Sequence, residues 1–227
     1  MLIPTPARES GNGRSRVSHG LLVLRLAPFA TASLACLALA GCGGSHASPA
    51  ATLSKLDVKL QAPAQLRAGT PQFALKDSLG RVVRLSQFRG KAVLLTFLYD
   101  HCPDLCPLIV SNLHTALLKL RASASKLQII AVSVDPKGDT PATVKAFLAR
   151  HEMTGRMEYL IGTVKELSPV WRAYGVQVQA SPDKRENTVG HSAFVYGITG
   201  SGSVLVLYPP NLDPAWIVHD VPILAGA

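Results

Sequence analysis

The stretch Lys91–Leu113, KAVLLTFLYDHCPDLCPLIVSNL, decides how this chain is read. Ala92–Leu98 is an apolar run of strand length, the pattern of a strand buried on both faces. It ends in a polar turn, Tyr99-Asp100-His101, and an amphipathic segment follows as far as Leu120. Between them stand Cys102 and Cys106, each followed by a proline. Proline has no N–H to donate and is tolerated in the first turn of a helix. Cys102 is therefore expected in the loop and Cys106 at or near the helix N-terminus. Unpaired amides at such a terminus stabilise a thiolate. The spacing thus predicts two exposed, acidic thiols, suited to disulfide exchange or to a soft metal.

Upstream, Phe73–Leu75 and Arg81–Leu85 flank Gly80 and predict a hairpin, and Ser86–Gly90 a single helical turn or tight turn. Downstream, Lys126–Val134 reads as a second buried strand. Thr140 caps a helix with Pro141 at its first position, running to Arg150. Met157–Ile161 is a short strand. Thr163–Tyr174 is a helix with Val164, Leu167 and Trp171 on one face, closed by Gly175. Gln179–Val189 is polar and reads as a loop or hairpin end. Ser192–Ile198 and Val204–Tyr208 are strands joined at Gly200-Ser201-Gly202, and Asp213–Leu224 closes the chain as a helix. This order predicts an α/β fold: a central mixed sheet flanked by helices, with an N-terminal hairpin and an inserted strand–helix unit on a thioredoxin-like frame. The domain is expected over residues 71–227.

The N-terminal part has a different character. Residues 1–41 read as an export signal, basic at first and then small and apolar over Pro28–Ala40, too short to span a membrane. Leu39-Ala40-Gly41-Cys42 is similar to a lipobox, which makes Cys42 the expected lipidation site and the protein a membrane-anchored lipoprotein of the bacterial envelope, facing the periplasm or exterior. Residues 42–70, rich in Ala, Ser, Gly and Pro, read as the lipidated cysteine and a tether, with a short strand at Leu53–Leu60. Removing residues 1–41 takes away four basic residues and one acidic, so the formal charge falls from +9 to +6. The remaining basic residues are scattered and not interleaved with aromatics, which argues against nucleic acid as a partner.

Processing discards Cys36 and modifies Cys42, so Cys102 and Cys106 remain as a pair that can stand as a disulfide or hold a metal. Metal binding needs a further ligand, and the chain has seven histidines. His19 leaves with the signal and His46 lies in the tether. His114 is placed on the helix surface, and His151 at a helix end, where a positive charge suits the dipole. His219 is in the tail, and His101 adjoins Cys102 but points elsewhere. His191 sits at the mouth of the strand beginning Ser192, beside the cysteine helix in a thioredoxin-like sheet. Two sulfurs and an imidazole fit three-coordinate copper(I), and copper(II) with water added. Structural zinc would want a fourth protein ligand.

Three motifs carry a family resemblance: Thr96-Phe97-Leu98-Tyr99 with Cys102-Pro103-Asp104-Leu105-Cys106-Pro107; Ser133-Val134-Asp135-Pro136 with Asp139-Thr140-Pro141; and His191-Ser192-Ala193 with Tyr196. In order and spacing they resemble the Sco/SenC family over Pro71–Pro209. The resemblance implies a membrane-anchored, thioredoxin-fold copper chaperone with Cys102, Cys106 and His191 as ligands. It would serve the binuclear copper site of cytochrome c oxidase, or another cuproprotein, as copper donor, thiol reductant or both. Asp135 matches an acidic position of the family and reads equally as a strand-end turn residue. The family often has an acid before the ligand histidine; here Gly190 stands there, which leaves the partner of the His191 ring open. The alternative is an envelope thiol–disulfide oxidoreductase with Cys102 and Cys106 as its redox pair. Against it, thioredoxin-type enzymes place two residues between their cysteines, and thiol peroxidases carry threonine where this chain has Tyr99.

Overall fold

The computed structural model describes residues 60–180 and 189–227. At its centre is β4 (Ala92–Leu98), all seven residues of which are buried. β4 pairs in parallel with β5 (Leu127–Ser133), which pairs in parallel with β6 (Met157–Ile161). Parallel neighbours need a crossover. α1 (Leu105–Leu120) supplies the first, and α2 (Pro141–Arg150) the second. On its other side β4 meets β9 (Val195–Ile198) antiparallel, and β9 meets β10 (Ser203–Tyr208). At one end of the sheet β6 pairs with β2 (Ala74–Asp77), which forms a hairpin with β3 (Val82–Arg84). The other edge is β1 (Ala64–Gly69), antiparallel to β10. Among the described residues one sheet therefore runs β1-β10-β9-β4-β5-β6-β2-β3, and a separate ladder pairs β7 (Val178–Ala180) with β8 (Val189–His191). This is the thioredoxin-like mixed sheet expected from the sequence.

The helices start where their side chains cap the free amides. Thr140 Oγ1 accepts the Thr143 N–H at 3.2 Å and the Thr143 hydroxyl returns to the Thr140 N–H, opening α2. Thr163 and Glu166 form the same reciprocal pair at the start of α3 (Val164–Ala173). The face α3 buries is Leu167, Val170 and Trp171, with the Trp171 indole N–H donating to the Ser133 carbonyl at the end of β5 (2.9 Å). Val164, expected on that face, is 57% exposed, because its position in the first turn lies beyond the edge of the contact. Gly175 follows with φ +68°, a conformation that side-chain-bearing residues rarely adopt.

α4 (Pro214–Ala225) packs on α1 and on β4. Its Asp220 is fully buried and accepts the N–H groups of Gln61 (2.8 Å) and Ala62 (3.0 Å) and the Tyr208 hydroxyl (2.9 Å). One carboxylate thereby ties the segment entering β1 to the last helix. The folded sheet thus reaches back to Ala64, ahead of the expected domain start at residue 71. The composition of this segment suggests a tether, but β10 offers it an open edge to pair with. Leu53–Lys59 of the expected short strand, the signal and Cys42 lie outside the described residues, and Leu60 has no regular structure. Among the described residues no helix is long and apolar enough to cross a membrane.

Candidate metal centre

β4 ends at Leu98, and the chain turns through Tyr99–Asp104 into α1, a layout that carries Cys102 across the helix mouth. Asp104 occupies the cap position but makes no side-chain capping bond. The Cys106 N–H points instead at Cys102 Sγ, 3.4 Å away. A sulfur thus does the capping, and the amide and the positive end of the helix favour its ionised form. Cys106, the second helical residue, is fully buried, whereas Cys102 is half-buried. Both are free thiols in this structure.

The two thiols are not alike, contrary to the expectation of two exposed, acidic ones. A hydrogen bond from the Cys106 thiol pulls Cys102 down to about 5, helped by the Asp104 and Cys106 amides and the Tyr99 hydroxyl against the opposing effect of burial. The same hydrogen bond, seen from the donor side, together with burial pushes Cys106 up. The pair therefore holds one proton, on Cys106, and presents a thiolate at Cys102.

His191 completes the group. Its Nε2 lies 3.9 Å from Cys106 Sγ. Its Nδ1 lies 3.1 Å from the Ser192 carbonyl, which can only accept, so Nδ1 carries the proton and the Nε2 lone pair faces the sulfurs. Burial holds the ring below its ordinary value, keeping it neutral. Gly190 puts no carboxylate before His191, and a backbone carbonyl does the orienting. His191 sits not at the mouth of β9 but at the end of β8, in the small β7–β8 ladder. A polar segment reads as loop because three-residue strands carry too little pattern to be recognised. Cys102, Leu105, Val189 and His191 line one open groove of about 310 Å³.

His101 is turned away from the sulfurs. Its Nδ1 lies 2.8 Å from Asp100 Oδ1 and its Nε2 3.5 Å from Asp135 Oδ2. Asp135 is thus more than a turn residue. Gly138 permits this arrangement: a Cβ there would come within 2.2 Å of Asp135 Oδ2 and 2.7 Å of His101 Cε1. Asp139 accepts the Asp100 N–H (2.9 Å) and the Tyr159 hydroxyl (2.9 Å), and burial pushes its carboxyl up to about 6. Asp100, His101 and Asp139 bring donor atoms within 4.8 Å of one another, but these are hard oxygens and a nitrogen, with His101 Nδ1 on Asp100 and Asp139 on the Asp100 N–H and the Tyr159 hydroxyl. Tyr99, 3% exposed, stands between the two groups, its ring edge-on to His101 (4.9 Å) and His191 (5.9 Å). The sequence places Tyr99 and Asp139 in motifs, and Asp100 in a polar turn, without giving any of them a role beside the sulfurs. Only the crowding of Asp, His and Tyr around Cys102 hinted at them.

The other described histidines lie elsewhere. His114 is not a surface residue: its side chain is 16% exposed, with Nε2 3.8 Å from Glu152. His151 packs its ring, tilted, against Phe147 at 4.6 Å, and burial holds it below its ordinary value, so it is not the positive dipole partner expected. His219 lies 2.8 Å from Asp220. His46 and His19 lie outside the described residues.

The fit to a metal is set by donor type and separation. Donors sharing one ion at about 2.3 Å (sulfur) and about 2.0 Å (nitrogen) must lie closer than about 4.3 Å, and Cys106 Sγ and His191 Nε2 satisfy this. Two sulfurs and one neutral imidazole select a soft ion.

Comparison with known proteins agrees with this picture. The family model described as SCO1/SenC matches residues 61–225, and the chain belongs to that family. A bovine relative, the mitochondrial protein SCO2 homolog, is 31% identical over 148 residues, covering 63% of this chain and 55% of its own length. The chain spans less than two thirds of the length of this and the related mouse and human proteins. Among solved structures, Bradyrhizobium japonicum ScoI with copper bound matches with a TM-score of 0.63 and 30% identity, over 69% of this chain and 99% of that one. Apo Sco1 from Thermus thermophilus matches with a TM-score of 0.64 and 30% identity, over 73% and 96%.

Proposed function

We propose that this protein binds copper through Cys102, Cys106 and His191 and delivers it to, or prepares, the binuclear copper site of cytochrome c oxidase. The observation that carries the reading is the His191 ring, fixed by Ser192 with its free nitrogen 3.9 Å from the Cys106 sulfur. Thiol exchange alone requires no imidazole there. Family membership supports it, as do relatives solved with copper bound: Bradyrhizobium ScoI at 30% identity and yeast Sco1 at 26%. Copper is cargo here, held by a thiolate, a thiol that loses its proton on binding, and a neutral imidazole. The groove over the site leaves it open to a recipient's own ligands.

The test is anaerobic titration of the reduced protein with copper(I) against a competing chelator. One tightly held copper per chain, weakened strongly by His191→Ala, is expected. Absence of tight binding by the reduced wild-type protein would overturn the reading.

We further propose that residues 1–41 are a cleaved leader, that Cys42 carries lipid, and that the following Ala-, Ser-, Gly- and Pro-rich stretch lets the domain work at the outer face of a bacterial membrane. The support is Leu39-Ala40-Gly41-Cys42. Several acyl chains on one cysteine anchor firmly without a spanning helix, at about 0.8 kcal/mol per buried methylene. Mass spectrometry of the membrane-bound protein should find a lipidated N-terminal Cys42, and Cys42→Ser should release the protein from the membrane.

A further inference from the structure

We propose that Thr96 and Tyr196 are positioning residues, whose buried hydroxyls grip the chain on either side of the small ladder carrying His191 and so hold the third ligand at the sulfur pair. The consequence for copper rests on the reading above; the geometry does not.

His191 needs such support. It ends β8, a strand of three residues paired with another of three, and it stands opposite Val178 of β7. A two-stranded ladder of that size is marginal by itself, and this one is not part of the main sheet. The chain comes to it from α3 through Tyr174 and leaves it through Ser192–Phe194 to begin β9. A side chain of the main sheet holds each of these passages. On the way out, the Thr96 hydroxyl of β4 donates to the Phe194 carbonyl at 3.1 Å, just before Val195, the β9 residue in register with Thr96. On the way in, the Tyr196 hydroxyl of β9 donates to the Tyr174 carbonyl at 2.7 Å. The Tyr196 ring is itself fixed, edge-on to Phe97 of β4 (5.9 Å) and to Tyr174 (5.4 Å).

Neither hydroxyl is needed to fill the core. Valine and phenylalanine have nearly the same shapes and no polar atom to satisfy, whereas a buried hydroxyl is tolerated only when it is bonded. Thr96 is fully buried and is the one polar residue of β4, the strand that runs into the cysteine loop. The strand that delivers the sulfurs therefore also holds, through Thr96, the segment that follows the histidine.

Thr96→Val and Tyr196→Phe each delete one hydroxyl and nearly keep the shape. In the metal-free, reduced protein, hydrogen exchange of the β7 and β8 amides should become about tenfold faster in each, the loss of one buried hydrogen bond. Thr96→Ser keeps the hydroxyl and should leave that exchange within about twofold of wild type. A marginal ladder is closed only part of the time, so copper(I) affinity should fall with the fraction that keeps His191 in place, by about fivefold per variant. In a His191→Ala background the same substitutions should change copper affinity by less than about twofold, because they act through the histidine. Val144→Ala, in the buried face of α2, lowers overall stability through a cavity and should change neither ladder exchange nor copper affinity. Unchanged exchange in β7 and β8 overturns the proposal. So does a copper affinity unmoved by faster exchange, or an equal copper loss in the His191→Ala background or in Val144→Ala. Should the wild-type protein fail to bind copper(I), the copper reading falls, and ladder exchange in Thr96→Val against Thr96→Ser still decides whether the hydroxyls hold the ladder.

Discussion

His101 and His191 both meet the ring of Tyr99 edge-on, yet their surroundings differ in kind. His101 lies between Asp100 and Asp135, with a carboxylate near each ring nitrogen. His191 has one nitrogen on a backbone carbonyl and the other near a sulfur. The first ring is occupied on both sides and braces a loop; the second keeps a lone pair for a soft ion. Adjacency in sequence to a candidate ligand cysteine therefore says little about which ring faces the sulfurs. The ring 85 residues along the chain from Cys106, not the one next to Cys102, faces the sulfurs.

The largest effects should fall on the sulfur side of Tyr99. Cys106→Ser should lower copper(I) affinity by more than about a hundredfold, beyond what outer-shell changes do, and His191→Ala by roughly a hundredfold, read in the same chelator competition. Equal losses for His191→Ala and His101→Ala would break the comparison.

The next concerns the shared proton. The Cys102 thiolate should react with iodoacetamide at a rate that is level at neutral pH and falls through a midpoint near pH 5 as the thiolate is protonated. One pH unit below that midpoint the rate should be about a tenth of the plateau. Cys106→Ala removes the largest cause of the shift and should move the midpoint upward. A midpoint unmoved by Cys106→Ala would show that the thiols do not share a proton.

On the carboxylate side the effects should be on stability. Gly138→Ala drives a Cβ into Asp135 and His101 and should cost about 1–3 kcal/mol in chemical denaturation, with copper affinity kept within a few fold. A large copper loss in this variant would mean that the two sides of Tyr99 are coupled. The smallest effect should be that of His101→Ala on copper(I), under about threefold.

Much of this is legible in the sequence. The runs Ala92–Leu98 and Met157–Ile161 and the helix from Pro141 to Arg150 lie where apolar pattern and capping residues put them, because burial and capping act over a few residues. The order of strands and helices carried the thioredoxin-like sheet, and the chemistry of sulfur and imidazole named Cys102, Cys106 and His191 as the set to watch. The edge strand at Ala64–Gly69 was not legible, since a neighbour's open hydrogen bonds, not its own composition, make it a strand. Nor was the hairpin position of His191.

The sequence by itself determined the class of fold, the family and the candidate donor atoms, since these follow from local pattern and residue chemistry. Only the tertiary structure decided which sulfur is ionised, which histidine faces it, and that Ser192 stands in for the missing acid. Those outcomes depend on burial and on hydrogen bonds between residues as far apart as Cys106 and His191, and no local rule of sequence contains such distances.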